Sequence, residues 1–155
     1  MCIVVDPPSF IPMFKATDPC HADFKPILEW VTGGPAKFVF GGSQYQAELF
    51  AVRSVLPLLL EMEKRGKIVR ASSAEVDAEV LVVRDLEPSA DFDDPHLVAI
   101  VRLTGCRLVC LRDARAHRFV RSSSLYARPN ARPKLYTRAA HHRLLCQDNL
   151  APCCR

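Results

Sequence analysis

Four short apolar runs, set apart by stretches of helical period, do most to narrow the folds open to this chain. Cys2 to Val5, Lys37 to Phe40, Lys67 to Ala71 and Arg107 to Leu111 have the length and the Val, Ile, Leu and Phe content of buried strands. Between the first two, Phe24, Ile27, Leu28 and Val31 recur at i, i+3, i+4 and i+7 over Asp23 to Thr32, and Gly33-Gly34 closes that helix. After the second run, Gly41-Gly42 turns into a helix whose start is marked by the pair Ser43 and Gln46. The pattern carries it to about Lys64, with a bend or break at Pro57. Ser73 to Asp85 has helical composition. Asp94-Pro95 then opens a further helix with the stripe Leu97, Ile100, Val101 and Thr104, stopped at Gly105. Strands alternating with helices throughout predict an α/β fold, a three-layer α/β/α sandwich on a central, mainly parallel sheet.

At 155 residues the chain has the size of one domain, and 49% hydrophobic residues supply a real core. The longest apolar runs, Val55 to Leu60 and Leu97 to Val101, fall far short of the ~18 residues of a membrane span. The start, Met1-Cys2-Ile3-Val4-Val5-Asp6-Pro7-Pro8, lacks the basic and long apolar regions of an export signal. A cytoplasmic protein without a membrane partner is the expectation, with its seven cysteines as free thiols. Cys106 and Cys110 read as small buried residues on one face of a strand. His142, Cys146, Cys153 and Cys154 suggest a zinc cluster at the tail, but there is no CxxC pair and adjacent cysteines chelate poorly, so buried thiols are the preferred reading.

Charge is segregated along the chain. Residues 1–101 hold 9 Lys and Arg against 15 Asp and Glu; residues 102–155 hold 12 against 2. Ten arginines fall between Arg102 and Arg143, with Asp113 the one acid among them. A solvated face accounts for part of this, but such density suits a phosphate backbone, which arginine binds bidentately. From about Phe119 the chain is arginine-rich and turn-rich, and reads as a tail wrapped on the same domain.

Asp6 and Asp113 each follow a predicted strand, and in parallel α/β sheets ligands sit beyond the carboxyl ends of the strands. Glu48 lies near one helix start and Asp94 caps another. Singly, each acid reads as a cap or a surface charge. Together they describe a cleft of like charges that needs a cation, and an all-oxygen set suits Mg²⁺ or Mn²⁺. Asp93 is the alternative to Asp94, and His96 reads as a surface histidine.

The stretch Asp91-Phe92-Asp93-Asp94-Pro95-His96-Leu97-Val98-Ala99-Ile100-Val101, followed by Gly105 to Asp113, resembles the acid, helix, turn, strand, acid signature of PIN-domain ribonucleases. Asp6 is similar to that family's opening metal-binding Asp, and Glu48 in Tyr45-Gln46-Ala47-Glu48-Leu49 to its helix Glu. The resemblance covers residues 1–120, a PIN-like domain. Residues 121–155 form a basic C-terminal extension, in which Arg132-Pro133-Lys134-Leu135-Tyr136 resembles an addition found in some bacterial members. The chain departs from the pattern at Pro8 and Leu111, where the family carries hydroxyl or amide side chains.

The resemblance implies a metal-dependent endoribonuclease in which Asp6, Glu48, Asp94 and Asp113 hold Mg²⁺ or Mn²⁺ for RNA hydrolysis. RNA would then lie on Arg112, Arg115 and Arg118, with bases stacked on Tyr126 and Tyr136. It also implies a toxin-like role with an antitoxin-like protein inhibitor, and it leaves room for a homo-oligomer. The departures at Pro8 and Leu111 favour an alternative, a module that kept the fold for binding nucleic acid or protein and lost the chemistry.

Overall fold

A computed structural model describes residues 1–149 and 151–154; Leu150 and Arg155, both in the basic extension, lie outside the described residues. Five strands form one all-parallel sheet in the order β3-β2-β1-β4-β5. They are β1 (Cys2–Val5), β2 (Lys37–Phe40), β3 (Ile68–Arg70), β4 (Leu108–Cys110) and β5 (Lys134–Tyr136). The central strand, β1, is flanked on both sides, Val4 pairing with Val39 of β2 and Val109 of β4. Its four residues have no exposed neighbour on the sheet; Ile3, Val4, Val5, Val39 and Val109 are wholly buried, as strands covered on both faces require.

Among the described residues seven α-helices connect the strands: α1 (Phe10–Phe14), α2 (His21–Gly33), α3 (Ser43–Ala51), α4 (Leu56–Lys64), α5 (Ser73–Leu86), α6 (Pro95–Thr104) and α7 (Ala114–Val120). Parallel crossovers are right-handed, so the steps from β1 to β3 carry α1–α4 over one face and the return to β4 and β5 carries α5–α7 over the other. Accordingly α1 packs on α2, and α6 on α5 and α7. This is the predicted three-layer α/β/α sandwich.

Several local details differ from the sequence reading. The long helix expected from Ser43 to Lys64 is two helices separated by a turn at Arg53–Val55, and the break precedes Pro57, which sits at the start of α4 where its missing N–H costs nothing. The expected Ser43 and Gln46 cap is not made. Gly42 occupies the cap position at φ +89°, while Asp77 of α5 accepts from the Ser43 N–H (2.8 Å) and hydroxyl (2.6 Å). Cys106 lies in the link before β4 rather than on the strand, although both it and Cys110 are buried. Most consequential is β5: Lys134–Tyr136 of the basic extension pairs with β4 as an edge strand, Val109 opposite Leu135. Tyr136 is fully buried with its hydroxyl donating to the Asp23 carbonyl (3.0 Å), and buried Tyr126 donates to Val120 (2.8 Å). Both tyrosines are core residues, which removes them as platforms for stacked bases.

No helix among the described residues is long and apolar enough to cross a membrane.

Candidate metal centre

The chain reverses direction across the sheet between β1 and β4, and ligands of open parallel sheets bind at such a crevice. Asp6 leaves β1 here, its backbone N–H donating to the last carbonyl of β4, Cys110 (2.9 Å). Asp113 follows β4 on the other side of the same crevice. Tyr45 of α3 hydrogen-bonds the Val5 carbonyl and stacks on Phe40 (5.4 Å), which pins α3 over the end of β1. That anchoring brings Glu48, one turn further on, toward Asp6.

Asp94 arrives from the other helical layer. Phe92 is fully buried and stacks on Phe119 at 4.8 Å, and Arg84 holds the Phe92 carbonyl (2.8 Å). With Phe92 fixed inward, Asp93 is left exposed and Asp94 half-buried at the start of α6. Of the two, Asp94 and not Asp93 falls in the cluster of ligand-type side chains. Gln44 ties the two layers together, donating to Glu48 Oε1 (3.1 Å) and to the Asp93 carbonyl (3.0 Å).

The residue that sequence reasoning missed is His96. It is wholly buried, not on the surface; its Nε2 stands 3.4 Å from Glu48 Oε2, and Tyr45 packs edge-on against its ring at 6.0 Å. Neither ring nitrogen has a hydrogen-bond partner of good geometry. Ligand atoms of Glu48, Asp94 and His96 all lie within 4.8 Å of one another. A signal was present: α6 is apolar on every side of the Leu97–Val101 run, and a helix apolar all round is buried all round, carrying its histidine with it.

The electrostatics fit a cation. Burial, and then the charges of Asp94 and Glu48, push the Asp6 carboxyl up to about 7. Asp94 is raised as well, chiefly by burial, with His96 opposing and Glu48 adding to the rise. Burial also pushes Glu48 upward, but the neighbouring imidazole of His96 and then Gln44 outweigh it, leaving its pKa low. Crowded carboxylates beside a buried imidazole that lacks a hydrogen bond of good geometry are costly without a positive ion and suitable with one.

Asp113 stands apart from this trio. Its carboxylate caps α7 through the Arg115 N–H (2.9 Å) and pairs with the Arg115 guanidinium (2.7 Å), which holds its pKa down. Its charge still reaches Asp6 and Asp94 and raises both. Arg118 is similarly committed, to Asp91 (3.1 Å) and over the face of Phe119 (4.5 Å), while Arg112 is exposed above Phe24 (6.0 Å). Of the three arginines expected to seat RNA, two are therefore paired. A larger cationic groove lies further along, about 560 Å³, lined by His117, Arg121, Arg132, Lys134, His141 and Arg143. Among the described residues none of its cations is in an ion pair.

Compared with protein-family models, curated proteins and solved structures, the chain matches none.

Proposed function

We propose that this chain is a divalent-metal-dependent ribonuclease whose centre is Asp6, Glu48, Asp94 and His96, with Asp113 at its rim. The observation that carries the proposal is the meeting of Glu48, Asp94 and the buried His96 within 4.8 Å at the point where the sheet reverses direction, with the charges of Asp94 and Glu48 felt at Asp6. The resemblance to PIN-domain ribonucleases points the same way. His96 adds a nitrogen donor to the oxygen set, which favours Mn²⁺ over Mg²⁺.

A divalent ion bound here supplies Lewis acidity toward a phosphate and makes water a better nucleophile at neutral pH. The side chains around it orient and neutralise. Glu48 is held by Gln44, Asp94 by the buried Phe92, and His96 by Tyr45, so three donors are positioned before any ligand arrives. His117, one turn beyond Asp113 on α7, also lines the cationic groove, and on this reading the phosphates lie along Arg121, Arg132 and Arg143.

Cleavage of a mixed-sequence RNA oligonucleotide in Mn²⁺, followed on a denaturing gel, tests the reading. Asp94→Asn should abolish cleavage while leaving the circular dichroism spectrum intact and the metal-free chain at least as stable as the parent; cleavage that survives this change refutes the assignment. The tie between Asp113 and Arg115 favours a second reading, a binding module without chemistry. Melting with and without Mn²⁺ separates the two, because an ion that binds only the folded chain must raise Tm.

A further inference from the structure

At the opposite end of β1 from Asp6 the structure gathers sulfur. Cys2 begins the strand and is wholly buried. The turn Pro152–Cys154 brings two more thiols back from the far end of the described chain: Cys2 Sγ to Cys153 Sγ is 3.4 Å and Cys153 Sγ to Cys154 Sγ is 3.6 Å. All three sulfurs lie within 4.8 Å of one another. Cys106, 1% exposed, lies outside this trio, its thiol donating to the Leu108 carbonyl (3.5 Å).

We propose that Cys2, Cys153 and Cys154 form a thiolate site for one thiophilic d¹⁰ ion, of which Zn²⁺ is the representative, fastening the C-terminal turn to the central strand. At a zinc–sulfur distance of ~2.3 Å, tetrahedral geometry sets ligand sulfurs ~3.8 Å apart, close to the separations already present. A disulfide would use two of the three sulfurs and strand the third, whereas a soft cation engages all of them. The tail cluster conceived from sequence is thus rearranged. His142 is turned to the Ala139 carbonyl (3.2 Å) and Cys146 lies beside Asn149, so neither joins.

The site is chemically distinct from the carboxylate centre, which offers no sulfur, and four residues of extended strand, ~13 Å, separate Cys2 from Asp6. Cobalt distinguishes them. The reduced full-length chain, titrated with Co²⁺ without oxygen, should develop thiolate-to-cobalt charge-transfer absorption saturating at one ion per chain, and Zn²⁺ should bleach it. Cys153→Ser and Cys154→Ser, both half-buried rather than core positions, should each lower Zn²⁺ affinity at least tenfold and abolish the zinc-dependent rise in Tm. Cys20→Ser and Cys146→Ser should change neither, and Asp94→Asn should leave the sulfur absorption intact. No charge-transfer band, a band that survives both Cys153→Ser and Cys154→Ser, or two thiols lost to a Cys2–Cys153 disulfide with no ion bound would each overturn the proposal.

Discussion

Replacing Asp6 by Asn removes a carboxylate whose ionisation works against the fold. Asp6 is 7% exposed, and burial first, then Asp94 and Glu48, push its pKa up to about 7, against ~3.9 in an unfolded chain. Below about pH 4 the group is protonated in both states and stability does not depend on it. From there to about pH 7 the unfolded chain has released the proton while the folded chain retains it, so stability falls as pH rises. Above that both are ionised and the penalty is complete. About three pH units at ~1.4 kcal/mol each make it about 4 kcal/mol. For a chain of this size ~1 kcal/mol moves Tm by ~2–4 °C. Without added metal, then, Asp6→Asn should melt about 10 °C above the parent at pH 8, and the gap should shrink steadily toward pH 4. Melting curves by circular dichroism in EDTA, for both proteins across that range, measure the gap directly. Saturating Mn²⁺ should reverse the order at pH 8, because the parent keeps a ligand that the variant has lost. A gap that is constant with pH, or a variant less stable than its parent at pH 8 in EDTA, would refute the reasoning.

Gly42→Ala should damage the centre from a distance. Gly42 has φ +89° and a Cβ there would stand 2.5 Å from Val76 Cγ1, so the start of α3 must shift. A loss of about 2–3 kcal/mol in urea unfolding and weaker Mn²⁺ binding through displaced Glu48 are expected. Arg121→Ala and Arg132→Ala, made in the groove cations, should weaken binding of a single-stranded RNA oligonucleotide by fluorescence anisotropy. Each should reduce the slope of log K against log salt by ~0.7, independent of sequence. Arg118→Ala should do less, since Arg118 is already paired with Asp91.

The alternation of strand and helix was legible because β1, β2 and β4 are covered on both faces and so had to be continuous apolar runs. That Asp6 and Asp113 follow strand ends was legible for a related reason: the first acid after a buried apolar run marks where the strand stops. What escaped the sequence was set by contacts between distant segments. Lys134-Leu135-Tyr136 has no apolar run, since an edge strand needs burial mainly on one side, and the Tyr136 bond to Asp23 and the ladder with β4 fix it. Cys2 and Cys153 are 151 positions apart, and no local spacing could announce their meeting.

Asp113 illustrates how local and long-range demands compete for one side chain. A strand-end aspartate that opens a helix is drawn to the N–H two residues on, and here that residue is an arginine whose guanidinium closes on the same carboxylate. The local pair is satisfied without the other acids, so in the absence of a cation nothing pulls Asp113 inward against the repulsion of Asp6 and Asp94. The bond is an exposed one, with 81% of the Arg115 side chain in solvent, and such pairs are weak because water and salt screen them. A divalent ion in the crevice inverts the sign of the field at Asp113 and competes against a weak partner. Arg115→Ala should therefore tighten Mn²⁺ binding by a few-fold if Asp113 joins the ligands, as read by the metal-dependent rise in Tm. An Arg115→Ala chain with unchanged Mn²⁺ affinity would confine Asp113 to capping α7, and leave Asp6, Glu48, Asp94 and His96 as the whole of the centre.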